Sequence, residues 1–372
     1  MSRCGADIDY LDALVANLGR AGTDTKRAAR RLAQRSRSTG LYDCSRCAAV
    51  VDHISALLDD LTRQISRQVE AFRIADTAAR AGLIERKLSE ARMALEAQAA
   101  LSPGGPTRAV EALLDGGRQI IQFDPSGEGR VVEVFGDLAT ARNVAVVVGG
   151  MGSSVENFDS TTASRASNLF RRVAGLGAEV AVVAWNGYDA PDELGAGPLA
   201  WTEVVSRAAA DEGIDELNSL LDQLGLPDAV HLTLLGHSYG SLVVAGVAAS
   251  RADVDDVVVM GSPGVGGSDP RRLNGGVRMW TMAAASDPID DLGWFGGDPN
   301  DPGTGWIPVD VAGDSGHGSY LTDGSRSLDQ AALVVMGRGD EVDVISHGLF
   351  DRLVDHFDDG DDLIDLWRLF MR

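Results

Sequence analysis

HLTLLGHSYGSLVVAGVAAS, residues 231–250, decides how this chain is read. An apolar run enters Gly236-His-Ser-Tyr-Gly240, and small and apolar residues follow at helical density. With 44 glycines in the chain, a G-x-S-x-G match alone means little. A strand directly before it and a helix directly after it give it weight, because a serine on that turn is held in a strained backbone with its hydroxyl exposed. Gly236 and Gly240 are expected where a side chain would strike the neighbouring strand and helix. The helix N-terminus places partial positive charge beneath Ser238. The N–H of Tyr239 then points to where an oxyanion would form.

A serine hydroxyl needs a base beside it. Of six histidines, His53 lies in a helical region and His231 begins the strand, pointing away. His237 packs or hydrogen-bonds behind the turn, and His347 and His356 fall in the tail. His317 sits in AGDSGHGSYL, an irregular stretch whose glycines leave room for the ring to reach Ser238, so it is the expected base, with His347 in reserve. The acid belongs after a strand between serine and histidine. VRMWTMAAASDPIDD supplies Asp287, with Pro288 stopping the strand and Asp290 and Asp291 in reserve. A second oxyanion donor is expected where NVAVVV (143–148) opens into Gly149-Gly150-Met151-Gly152. Met151 N–H is the assignment and Gly152 the alternative. That loop is neither G-x-G-x-x-G nor a P-loop.

Outward from the turn, RVVEVFG (130–136), NVAVVVGG (143–150), AEVAVVAW (178–185), AVHLTLLG (229–236), DVVVMG (256–261) and VRMWTMAAAS (277–286) read as strands. Helical patterns at 163–176, 201–224 and 239–251 separate them. This alternation predicts an α/β fold, a mostly parallel sheet flanked by helices. Residues 1–104 read as an all-α region, with no proline before Pro103, a break at STGLYD (38–43), and a further helix over 69–100. The expected domains are therefore 1–104, a helical hairpin or bundle, and 105–372. The second would carry a long loop at 287–320 and closing helices at 340–357 and 361–371. Trp294, Phe295 and Trp306 interleave with glycines in the loop and are candidates for a substrate pocket, with Trp185 and Trp201 opposite.

The formal charge is −22. Residues 1–100 hold 16 basic and 13 acidic side chains, so the excess acid lies beyond them. Such acidity excludes a non-specific nucleic-acid footprint. It also opposes anionic substrates at long range, so a neutral ester or lipid-like acyl group is the expected substrate class. No run approaches the roughly 20 apolar residues of a membrane helix. The start, MSRCGADIDYLDALV, carries acids where a signal peptide needs bases, so a cytoplasmic location is expected, with signal-independent export left open. Cys44 and Cys47 form C-x-x-C without a second pair, and neither a metal nor a cofactor is expected. D-P-N-D-P-G (298–303) lacks the spacing of a calcium loop. The near absence of lysine beside many arginines points to a high-GC bacterial genome.

Together GHSYGSLV, VVVGGMGSS, ASDPI and GHGSY resemble an uncharacterised bacterial α/β-hydrolase family, many of whose members carry a helical N-terminal region. The resemblance spans roughly residues 105–335. It implies an α/β-hydrolase fold and a triad of Ser238, Asp287 and His317, and it names no substrate. Gly149 departs from the proline common at that place. The expectation is a serine hydrolase of the esterase or lipase kind, acting on a small acyl substrate. The alternative is a vestigial, partner-binding protein on the same scaffold. Residues 7–100 are the expected surface for a protein partner or self-association.

Overall fold

The computed structural model describes residues 4–39, 45–102, 105, 107–191, 207–267, 276–289, 294–301 and 303–345. Its helices are α1 (Cys4–Thr39), α2 (Ser45–Leu101), α3 (Arg108–Leu113), α4 (Thr162–Gly175), α5 (Ala208–Leu224), α6 (Gly240–Ser250) and α7 (Arg326–Val335). The strands are β1 (Gln119–Asp124), β2 (Arg130–Gly136), β3 (Asn143–Val148), β4 (Val180–Asn186), β5 (His231–His237), β6 (Asp256–Met260), β7 (Arg278–Met282) and β8 (Ile307–Val309).

Valine-rich strands decide the sheet. Every residue of β4 and of β6 is buried, as is β3 after Asn143, which requires cover on both faces. The sheet runs β1-β2-β4-β3-β5-β6-β7-β8. β2 pairs antiparallel with β1 and with β4, and every other pairing is parallel. The chain passes from β3 to β4 on one side and then to β5 on the other. That reversal opens a crevice at the carboxyl ends of β3 and β5, where open α/β sheets bind ligands. This is the α/β-hydrolase fold, preceded by helix.

Two compact units divide the described residues: 1–82 with 225–229, and 83–224 with 230–372. In the first, α1 and α2 form an antiparallel hairpin. Lys26 Nζ meets Asp59 Oδ2 at 2.5 Å, Ser55 Oγ donates to the Gly22 carbonyl at 3.3 Å, and Arg73 pairs with Asp12. The separate third helix expected over 69–100 is instead the continuation of α2, since no proline and few glycines interrupt its alanine- and leucine-rich sequence. Within the second unit, Ala91 and Leu95 of α2 join Val110, Leu113, Ile120 and Phe123 in the core.

Four elements had no sequence expectation: the short α3, β1, the short β8 and α7. The closing helix expected from 340 is corrected over its described part. Gly339–Glu341 is a single 3-10 turn, and Val344 bridges Val309 antiparallel, extending the sheet's edge. The rest of 340–357 and all of 361–371 lie outside the described residues. Among the described residues no helix is long and apolar enough to cross a membrane.

Candidate active site

β5 ends at His237 and the chain turns at Ser238, whose φ is +54°. A residue with a side chain rarely adopts that conformation, and it persists only where the surroundings enforce it. They do so here. The Ser238 N–H donates to the Met260 carbonyl of β6 at 2.9 Å, fixing the turn to the adjacent strand. A Cβ on Gly236 would lie 2.6 Å from the Gly240 carbonyl oxygen, and one on Gly240 would lie 2.8 Å from the carbonyls of Val148 and Gly149. Both glycines are thus set by close backbone approach.

The loop after β3 passes directly over this turn. A Cβ on Gly150 would stand 2.8 Å from both Ser238 Cβ and the His237 carbonyl oxygen. The Gly152 N–H is already engaged, donating to the Pro191 carbonyl at 2.8 Å, whereas the Met151 N–H donates to no carbonyl among the described residues. Of the two donors expected of this loop, Gly152 is committed elsewhere, and Met151 has no backbone acceptor among the described residues. Tyr239 caps the start of α6, its hydroxyl accepting from the Ala210 N–H at 3.2 Å.

Asp287 and His317 meet. His317 Nδ1 lies 3.0 Å from each carboxylate oxygen of Asp287. The two loops that carry them are laced together: the Gly316 N–H donates to the Ala285 carbonyl at 2.7 Å, and the Ala285 N–H to Asp314 at 3.1 Å. Tyr320 donates its hydroxyl proton to Asp287 Oδ2 at 2.8 Å, and the Ile289 N–H donates to Oδ1 at 3.0 Å. Burial alone would raise the Asp287 pKa. The bonds from His317, Ile289 and Tyr320 outweigh it and hold the carboxyl below its ordinary range. Gly261, just after β6, has φ +55°, and a Cβ there would sit 2.5 Å from Asp287 Oδ2 and 2.8 Å from His317 Nδ1.

His237 lies behind the turn. Its Nε2–H donates to the His317 carbonyl at 2.8 Å, and the two rings stand 4.5 Å apart. Burial, then the charge of Arg165, pushes its pKa well below the ordinary histidine value, so the ring is neutral. Ser238 and His317 face a shared cavity of about 420 Å³, together with Gly150, Met151 and Gly152. No hydrogen bond joins the hydroxyl to the ring among the described residues. Such bonds often tighten only in the substrate complex.

The aromatic candidates lie apart from this cavity. None of Trp294, Phe295 and Trp306 lines this cavity. Trp306 is buried, Phe295 presents its ring edge-on to Tyr239 at 5.6 Å, and Trp294 is 44% exposed. Trp185 is also buried, stacked on Tyr188. His231 lies at the amino end of β5, where its Nε2 meets Asp256. Trp201, Asp290, Asp291, His347 and His356 lie outside the described residues. Sequence reasoning missed Gly261, Tyr320 and Arg165. A glycine directly after a strand was the only available signal, and it pointed to Gly261 alone. Among the described residues no three His, Cys, Asp or Glu side chains cluster to hold a metal.

A family model described as alpha/beta hydrolase matches residues 124–296. An uncharacterised protein of Mycobacterium bovis is 31% identical over 230 residues, 53% of this chain and 82% of that protein. The chain belongs to the alpha/beta hydrolase family. An uncharacterised protein of Mycobacterium tuberculosis strain H37Rv is 31% identical over 267 residues, 59% of this chain but 39% of its own length, so the chain spans about two fifths of that longer relative. Among solved structures, a dienelactone hydrolase-like promiscuous phosphotriesterase from metagenomic libraries is similar at 18% identity and a TM-score of 0.33, covering 46% of this chain and 70% of that one. A likeness at that level says nothing about the reaction.

Proposed function

We propose that this hydrolase-family chain is a serine hydrolase cleaving an ester or related acyl bond through Ser238, His317 and Asp287. The carrying observation is the pairing of Ser238, strained at φ +54°, with a histidine that shares its cavity and whose Nδ1 is bound by a buried carboxylate. Ser238 Oγ attacks the carbonyl carbon while His317 Nε2 takes its proton. Asp287 holds the Nδ1–H and offsets the imidazolium charge. The N–H groups of Met151 and Tyr239 receive the oxyanion. Collapse expels the leaving alcohol, which takes the proton from His317, and leaves an acyl-serine. Water, deprotonated by the same ring, then releases the acid. No step requires a cofactor.

A fluorophosphonate probe tests this, since it reacts with a serine only where base and oxyanion donors activate it. The native chain is expected to label and Ser238→Ala not at all. His317→Gln should label more slowly by about 10³-fold or more. A folded native chain that stays unlabelled overturns the proposal in favour of a partner-binding protein on the same scaffold.

A further inference from the structure

The cavity beside Ser238 contains one charged side chain that the reaction above leaves unused. Arg165, in the first turn of α4, lines it with Asn157 and Thr161. Other arginines around the sheet meet carboxylates: Arg118 with Glu133, Arg130 with Glu212, Arg172 with Asp329, Arg278 with Asp256. Arg165 forms no ion pair and no side-chain hydrogen bond among the described residues. Burial pushes its guanidinium pKa down, and no carboxylate pushes it back.

Its two polar neighbours are already committed. Asn157 Nδ2 donates to the Gly152 carbonyl at 2.7 Å, its Oδ1 accepts from the Ser154 N–H at 3.1 Å, and Thr161 Oγ1 donates to the Asn157 carbonyl at 2.8 Å. Those bonds brace the Met151 loop and leave the guanidinium as the free donor on that wall. A partly desolvated cation without an anion costs stability. Among the described residues no carboxylate faces this guanidinium, although the chain carries 55 acidic residues. His237, being neutral, does not compete for a ligand anion. One guanidinium fork, with no second Lys or Arg among the described residues lining the cavity, matches a carboxylate, which it can bind through two parallel bonds.

We propose that Arg165 binds a carboxylate on the substrate, making the preferred substrate an ester whose acyl or alcohol part carries that group. This deepens the serine-hydrolase reading and rests on it. It also replaces the neutral substrate expected from net charge: long-range repulsion acts on approach, whereas Arg165 acts at contact.

The test compares 4-nitrophenyl hemisuccinate and hemiglutarate with their neutral methyl-capped counterparts, on the native chain, Arg165→Gln and Arg165→Lys. The native chain is expected to favour a carboxylate ester by about 10-fold or more in kcat/KM. Arg165→Gln should erase that preference, lowering kcat/KM for the anionic ester by about 10- to 100-fold while changing the neutral one less than about threefold. Arg165→Lys should keep part of it. A native preference for the neutral esters, or an equal loss on both in Arg165→Gln, overturns the proposal. If no ester is cleaved, the hydrolase reading itself has failed. The arginine site is then judged alone by calorimetric binding of glutarate: saturable binding lost in Arg165→Gln supports it, and no binding overturns it.

Discussion

Gly261 carries no functional group, yet it lies directly against the Asp287–His317 pair. Its φ of +55° already penalises a side chain, and a Cβ would overlap the carboxylate at 2.5 Å. Because its neighbours are held by Tyr320 and by the laced loops, relief must come from moving Asp287 or the ring. A displacement of about 1 Å at a reacting group can cost about 10²-fold in rate. Gly261→Ala is therefore expected to lower kcat/KM on an activated ester by about that factor while the far-ultraviolet circular dichroism stays native. Activity within threefold of native would show that the pair tolerates the intrusion. Ser238, Asp287 and His317 are legible in the sequence because strand order constrains where each must fall. Arg165 and Tyr320 are not, because nothing in the local sequence of either says which side chain it faces across the fold.

Among the elements, β5, β6 and β7 are tied at their amino ends by Asp256, which is wholly buried. It accepts from Arg278 at 2.9 and 2.7 Å and from the Trp280 indole at 2.7 Å, and it meets His231 Nε2 at 2.9 Å. Asp256→Asn leaves the half-buried Arg278 and His231 without their carboxylate and, with solvent screening the exposed guanidinium, should cost about 1–3 kcal/mol in urea unfolding. Burial opposes both charges, but the shared bonds win, lowering the Asp256 pKa and raising that of His231. The carboxylate's contribution is complete above about pH 3.9 and lost as pH falls through its folded value. That of the histidine is complete below about pH 6.5 and lost as pH rises through its folded value. The cluster is thus most stabilising between those limits. Above pH 6.5 the native Tm should fall by more than that of His231→Gln; parallel curves would remove His231 from the linkage. The same buried strands are the ones plain in the sequence, since continuous valine runs have few other readings. β1 mixes glutamine with isoleucine at an edge, and β8 is three residues inside a glycine-rich loop, so neither offers enough periodicity. Val344 looked helical because a short amphipathic stretch fits either period.

At the scale of the molecule, composition suggests a division near residue 104, whereas the compact units divide inside α2 between Gly82 and Leu83. We propose that removing residues 1–82 leaves a folded hydrolase unit that labels with fluorophosphonate. Removing 1–104 takes Ala91 and Leu95 from the core and should lower the Tm by several degrees more. Equal melting of the two would place the boundary at 104 after all. Charge gives the last expectation. With −22 overall, an anionic ester is repelled on approach, and exposed charges are screened within about 10 Å at 0.1 M salt. The contact with Arg165 lies inside the cavity, where salt reaches it less. Raising salt from 10 to 150 mM should therefore raise kcat/KM for the hemisuccinate ester while leaving the neutral ester unchanged. In Arg165→Gln the rise should remain although the preference is gone, because it belongs to the surface and not to the site. A fall with salt in the native chain would mean that attraction by the cavity outweighs the acidic surface even at long range.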